Sequence, residues 1–241
     1  MTSLQAFLLS AVVFCCHFHG SPCSSVCAAS IPAPQPPTPV HGENDFFPEV
    51  TEIWKELPIR KKDDGIPAIE FLDALDSFLP MFDRLGAIFY IVKSDMGGNV
   101  AKLRKKLASD PSASIQDLIR KEIRAGHDGD KHSAADALLW LTRALDFIHT
   151  LLDKMVGGLD ANRAAREAYE GSLMQHHGFI VKRSFQVGLM TAPSTASMLK
   201  CLGTDPGKTA TDVKSFVNAS RRHLQVLKTF VVHEKLDKLT A

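Results

Sequence analysis

Asp95, Asn99 and Lys102 recur at i, i+4 and i+7, so a helix through them would set a carboxylate, an amide and an ammonium in one row. The carboxylate accepts protons from hydroxyls, the amide both donates and accepts, and the ammonium donates. That mixture suits a polyhydroxylated group such as a sugar. It suits a phosphate poorly, because Asp95 repels it. Val100, Leu103 and Leu107 run beside the row and give it an apolar border. Taken alone, such a row is more often a solvated helix face.

Two further residues carry chemistry of the same kind. Trp140 lies in a densely apolar stretch, where an indole ordinarily packs in the core; at the border of a polar row its flat face also suits a pyranose ring. His177, just before Gly178, reads either as a partly buried, hydrogen-bonded histidine or as a ring N–H donor to an amide carbonyl. Arg143 is the cation that a phosphate would use. Enzyme readings find no support: there is no Gly-rich phosphate loop, no zinc-like Cys or His spacing and no nucleophile elbow. His176 and His177 are adjacent, about 100° apart on a helix, and cannot easily share a metal. The expectation is a chain with no catalytic residue, no metal and no cofactor. Lys+Arg 28 against Asp+Glu 27 gives no reason to expect nucleic acid as a partner.

The elements that must position these residues read as helix after helix. Phe71, Leu75, Phe78, Phe82, Leu85 and Phe89 share one face, and Pro80 predicts a kink or a new start within it. Further helices are expected over about 94–107, 114–124, 134–156, 162–175 and 179–191, with a long last one through Val213, Phe216, Val217, Ser220, Leu224, Leu227 and Val231. The segment 134–156 leaves few solvent positions and should be central. No stretch alternates with period two. The fold class expected is all-α, a two-layer helical sandwich of about eight helices.

Residues 1–43 are a different material. No charged side chain precedes Glu43, Ala6 to Cys16 is an apolar run, and five prolines fall between Ile31 and Val40. This reads as a targeting remnant or disordered leader, although the basic start of a signal peptide is missing. Four of the five cysteines lie there, and the one body cysteine, Cys201, cannot form an internal disulfide. The expected organisation is a leader over 1–43, a linker over 44–66 and one domain over 67–241. Asp45 to Glu52 loosely resembles an acidic two-phenylalanine recruitment motif, with a plain linker the simpler reading. Lys102, Arg104, Lys105 and Lys106 form a basic cluster, ordinarily a solvated face but able to attract anionic lipid heads.

Four blocks, taken in order, add a resemblance. Phe78-Leu-Pro-Met-Phe-Asp-Arg-Leu-Gly86, Asp95-Met-Gly-Gly-Asn-Val-Ala-Lys102, Leu139-Trp-Leu-Thr-Arg-Ala-Leu145 and His177-Gly-Phe-Ile-Val181 are similar to successive blocks of the glycolipid transfer protein family, over about residues 65 to 240. The resemblance implies an apolar core that opens to admit lipid chains, and transfer of glycosphingolipids between membranes without catalysis. It implies that Asp95, Asn99 and Lys102 hydrogen-bond the first sugar, with Asp95 also reaching the ceramide amide N–H. By the same resemblance Trp140 stacks on that sugar and His177 holds the amide carbonyl. A monomer is implied, cytosolic and in transient contact with membranes, although the leader leaves a secretory or organellar address open. Relatives specific for ceramide-1-phosphate replace the Asn of this row with a basic residue, so Asn99 keeps the sugar-type pattern; phosphosphingolipid transfer and lipid sensing without transfer stay as alternatives. Phe179 stands where animal members often carry a membrane-docking Trp.

Overall fold

The computed structural model describes residues 44–85, 89–130, 132–179, 181–183, 185 and 193–240. The leader over 1–43, its four cysteines and most of the helix expected over 179–191 lie outside these residues. Among them the chain is all-α, as expected, with nine α-helices and one isolated bridge between Pro67 and Ser114. In chain order they are α1 (Phe47–Glu56), α2 (Ala68–Phe78), α3 (Met81–Leu85), α4 (Tyr90–Leu107), α5 (Ile115–Arg124), α6 (Ala134–Val156), α7 (Ala161–Gly171), α8 (Thr195–Leu202) and α9 (Pro206–His233). Short 3-10 turns cover Met174–His176 and Leu236–Thr240. No described helix is long and apolar enough to cross a membrane.

Local chemistry sets the boundaries. Pro80 starts a new helix rather than kinking one: α2 ends at Phe78 and α3 begins at Met81. Ser114 and Asp117 close a reciprocal capping box on α5. Ser133 caps α6 by accepting from the Asp136 N–H, and Asp205 caps α9 by accepting from the Lys208 N–H. At the end of α6, Gly158 takes φ +95°, a left-handed conformation that a side chain would resist.

The helix expected to be central is central. Fifteen of the 23 residues of α6 are buried, and it packs against α4, α5, α7 and α9 together. Helix α9 lies on α6 and on α1. At that junction Phe216 of α9 stacks on Phe78 of α2, with centroids 5.0 Å apart and planes 8° from parallel, and also meets Phe47 and Trp54 of α1. The seam is tightly filled: the gap lined by Trp54, Phe78, Leu145, Ile148, Phe216 and Leu224 has a volume of about 10 Å³, room for roughly one water.

The expected linker over 44–66 is corrected by α1. Phe47, Val50 and Trp54 fall at i, i+3 and i+7 and are all buried, while the Trp54 indole N–H donates to the Ala74 carbonyl at 3.2 Å. Pro48 does not break this helix because it sits in the first turn, where no N–H is required. Asp45 is held by the Thr204 N–H and hydroxyl and by Lys208, and these partners pull its carboxyl down to about 2, the Lys208 hydrogen bond first. With Phe46 and Phe47 both buried, the two-phenylalanine motif belongs to the core and is not a free peptide.

Phe216→Ala should cost about 3–5 kcal/mol of unfolding free energy, the range for a buried aromatic ring. Arg104→Ala, which removes exposed ion pairs with Asp73 and Asp76, should cost less than about 1 kcal/mol. Urea unfolding followed by circular dichroism checks both; equal midpoints would show that the aromatic junction does not hold the layers.

Candidate functional site

Helix α4 has two characters. Met96, Val100, Leu103 and Leu107 are buried at spacings of four, three and four, which fixes how α4 lies on α6. Beside that stripe run Asp95, Asn99 and Lys102. Asn99 is only 4% exposed, and its Oδ1 accepts a hydrogen bond from Lys102 Nζ at 2.9 Å. Asp95 is half-buried. Burial pushes its carboxyl up to about 6; Lys102 pulls the other way, and the charge of Asp136 adds to the rise. Near neutrality the group is mostly ionised, yet poised to lose its charge on mild acidification.

Helix α6 supplies the facing wall. Asp136, Trp140 and Arg143 fall at i, i+4 and i+7 and so share one edge of the helix, with Asp136 and Trp140 half-buried and Arg143 buried. The Arg143 guanidinium lies 4.9 Å from the indole centroid, a cation–π contact that steadies the ring. Arg143 Nη2 also donates to Asp237 Oδ1 of the C-terminal 3-10 turn at 3.1 Å. Burial pulls Arg143 below its ordinary value, against the opposing pull of Asp237 and Asp136. Its positive charge is thus already met by carboxylates. The Trp140 Nε1 N–H is buried and, among the described residues, without a hydrogen-bond partner, an arrangement that protein interiors seldom tolerate.

His177 follows the 3-10 turn Met174–His176 and is 8% exposed. Its imidazole lies nearly parallel to the Trp140 indole, with centroids 5.8 Å apart and planes at 18°. Nδ1 is 2.9 Å from the Tyr169 hydroxyl of α7, while Nε2 is buried with no partner among the described residues. Burial first, then His176, Arg143 and Lys182, push its pKa down to about 4. The ring is neutral at pH 7.

Several expected residues therefore meet. Asn99 touches Lys102, Trp140 stacks with His177, and the field of Asp136 reaches from α6 to Asp95 on α4. Three contributors were missed. Asp136 was legible, being one turn before Trp140, but an acid in the first turn of a helix reads most simply as a partner for the helix dipole. Tyr169 and Asp237 come from other elements, and no spacing announces them. Within the basic cluster Lys102 serves Asn99, Arg104 pairs with Asp73 and Asp76, and Lys106 pairs with Glu122 at 3.0 Å, while Lys105 is exposed. What the site offers is a half-buried carboxylate, an amide, an ammonium, a flat indole and two nitrogens awaiting partners. These are means of recognition by hydrogen bonding and stacking.

A carboxyl whose folded pKa lies above its unfolded value costs stability when ionised, fully above about pH 6 and not at all below about 3.8. Asp95→Asn should therefore stabilise the protein at pH 8 by on the order of 1–2 kcal/mol relative to wild type, with the gain vanishing at pH 4. Carboxyl NMR should place the Asp95 midpoint near 6, and Asp136→Asn should lower it. A midpoint at the ordinary aspartate value would show that Asp95 is not held out of water.

A family model described as Glycolipid transfer protein (GLTP) matches residues 66–204. A glycolipid transfer protein from Aureobasidium melanogenum is 29% identical over 79% of this chain and 94% of its own length. The pleckstrin homology domain-containing family A member 8 of Danio rerio is 34% identical over 65% of this chain, which spans 29% of that longer protein. Among solved structures, the fungal glycolipid transfer protein HET-C2 superimposes with a TM-score of 0.67 at 34% identity, covering 74% of this chain and 92% of its own. The chain belongs to the glycolipid transfer protein family.

Proposed function

We propose that this chain carries glycosphingolipids between membranes, holding the sugar at the α4–α6 edge and the ceramide chains between its helices, with no bond made or broken. The observation that supports it most is the set of two polar walls: Asp95, Asn99 and Lys102 on α4, and Trp140 with His177 beside α6. In this reading Asp95 accepts from sugar hydroxyls and from the ceramide amide N–H. Asn99 and Lys102 share further hydroxyls, Trp140 offers its indole to the sugar ring, and the free ring nitrogen of His177 takes the amide carbonyl.

Energy divides unevenly between the two parts of such a ligand. Each buried methylene contributes about 0.8 kcal/mol, so the chains supply most of the affinity. Each headgroup hydrogen bond replaces one made to water and contributes about 0.5–1.5 kcal/mol, enough to select among headgroups. Because the seam around Phe78 and Phe216 is filled, lipid chains entering there would have to part the helices. Phe179, 74% exposed with the Arg183 guanidinium 5.7 Å from its ring centroid, gives the chain an apolar point of contact with a bilayer two residues from His177. A neutral headgroup is favoured over a phosphate because Asp95 and Asp136 are both acidic and Arg143 is already paired with Asp237.

Vesicle-to-vesicle transfer tests this. Asp95→Val and Trp140→Ala should each lower galactosylceramide transfer by about tenfold or more with helicity unchanged. Ceramide-1-phosphate should move more slowly than glycosylceramides. Wild-type rates from both variants would overturn the site, faster ceramide-1-phosphate transfer would overturn the headgroup, and tight binding with negligible transfer would make the protein a sensor. Binding should also weaken from pH 7 to pH 5, where Asp95 becomes about ten-to-one protonated; a flat profile in Asp95→Asn is the control. Phe179→Ala should slow transfer while leaving binding in solution intact.

A further inference from the structure

Resting on that reading of the site, we infer that Tyr169 is a positioning residue: its hydroxyl donates to His177 Nδ1 and thereby fixes Nε2 as the protonated nitrogen that meets the ligand. Geometry carries the argument. Tyr169 is 1% exposed, and its ring is clamped by Phe185 at a centroid separation of 3.9 Å and an angle of 14°. Phe185 in turn sets its edge against Phe147 of α6 at 5.6 Å and 80°. With the ring so held, the phenol oxygen is fixed 2.9 Å from Nδ1.

Two tautomers could occupy that contact. If Nδ1 carried the proton, it would donate to the phenol oxygen. The buried Tyr169 hydroxyl proton would then need a second acceptor, and His177 Nδ1 is the only hydrogen-bond partner of that hydroxyl among the described residues. If Nδ1 is bare, the hydroxyl donates to it and both atoms are satisfied. The ring proton then sits on Nε2, which has no partner among the described residues. Burial favours the two neutral forms this needs, holding the phenol protonated, with its pKa up to about 12, and the imidazole uncharged. The consequence is a matter of ligand chemistry: a preset N–H donor at this point takes an acceptor such as an amide carbonyl and turns away a donor. The helix pair thus reads the polarity of the ceramide linkage as well as the sugar.

The full chain with ¹⁵N-labelled histidine tests this by NMR. Wild type should show His177 with Nε2 protonated and Nδ1 bare. Tyr169→Phe should mix the tautomers and lower galactosylceramide transfer by about three- to tenfold, with Asp95→Val losing transfer as before. A protonated Nδ1 in wild type overturns the inference without recourse to any variant, so misfolding of Tyr169→Phe would not protect it. Unchanged tautomer and transfer in a folded Tyr169→Phe also overturn it, while leaving the glycolipid reading intact if His177→Ala and Asp95→Val still fail. If those two variants transfer normally, it is the underlying reading that falls.

Discussion

Helix α6 buries fifteen of its 23 residues, Arg143 among them, and that burial is the constraint under which Asp136 and Trp140 are placed. Its contacts with α4, α5, α7 and α9 fix its rotation about its own axis, so the edge that carries Asp136, Trp140 and Arg143 cannot turn away. Interiors are packed to crystal-like density and transmit strain rather than absorb it. The indole is therefore placed by the whole core, and residues that touch no headgroup still set where it lies. Helix α4 answers the same constraint from the opposite wall, because its buried Met96, Val100, Leu103 and Leu107 settle which way Asp95 faces.

The cost of this arrangement is polar. A carboxylate is held partly out of water, and two ring nitrogens, Trp140 Nε1 and His177 Nε2, are buried with no partner among the described residues. Each such group costs about 1–3 kcal/mol in a folded protein. The rest of the fold offsets that cost with caps on α5, α6 and α9 and with the aromatic junction at Phe216. Thr51 and His223 carry similar unpartnered polar atoms elsewhere among the described residues, so the α4–α6 edge bears part of the polar cost of the fold and not all of it.

How much of this the sequence discloses depends on where each partner sits. The row of Asp95, Asn99 and Lys102, and the burial of α6, are written in local periodicity and are found as expected. Helix α1 escaped because Pro48 and the acids around it read as linker, although Phe47, Val50 and Trp54 already showed a helical spacing. The short α8 was also unannounced, its eight residues being too few to show a period. Tyr169 could not be read as a partner for His177, since the turn through Met174–His176 breaks the helical register that would relate them. Asp237, ninety-four residues from Arg143, meets it only because the tertiary fold brings the C-terminal turn onto α6.

That last contact has a practical side. Asp237 belongs to the 3-10 turn Leu236–Thr240, and Leu236 beside it is buried. A substitution that unseats Leu236 would loosen the carboxylate that Arg143 leans on. With less negative charge beside it, the guanidinium near the indole would attract an anion more strongly, and the protein's choice between neutral and anionic lipids would shift through a turn that need touch neither.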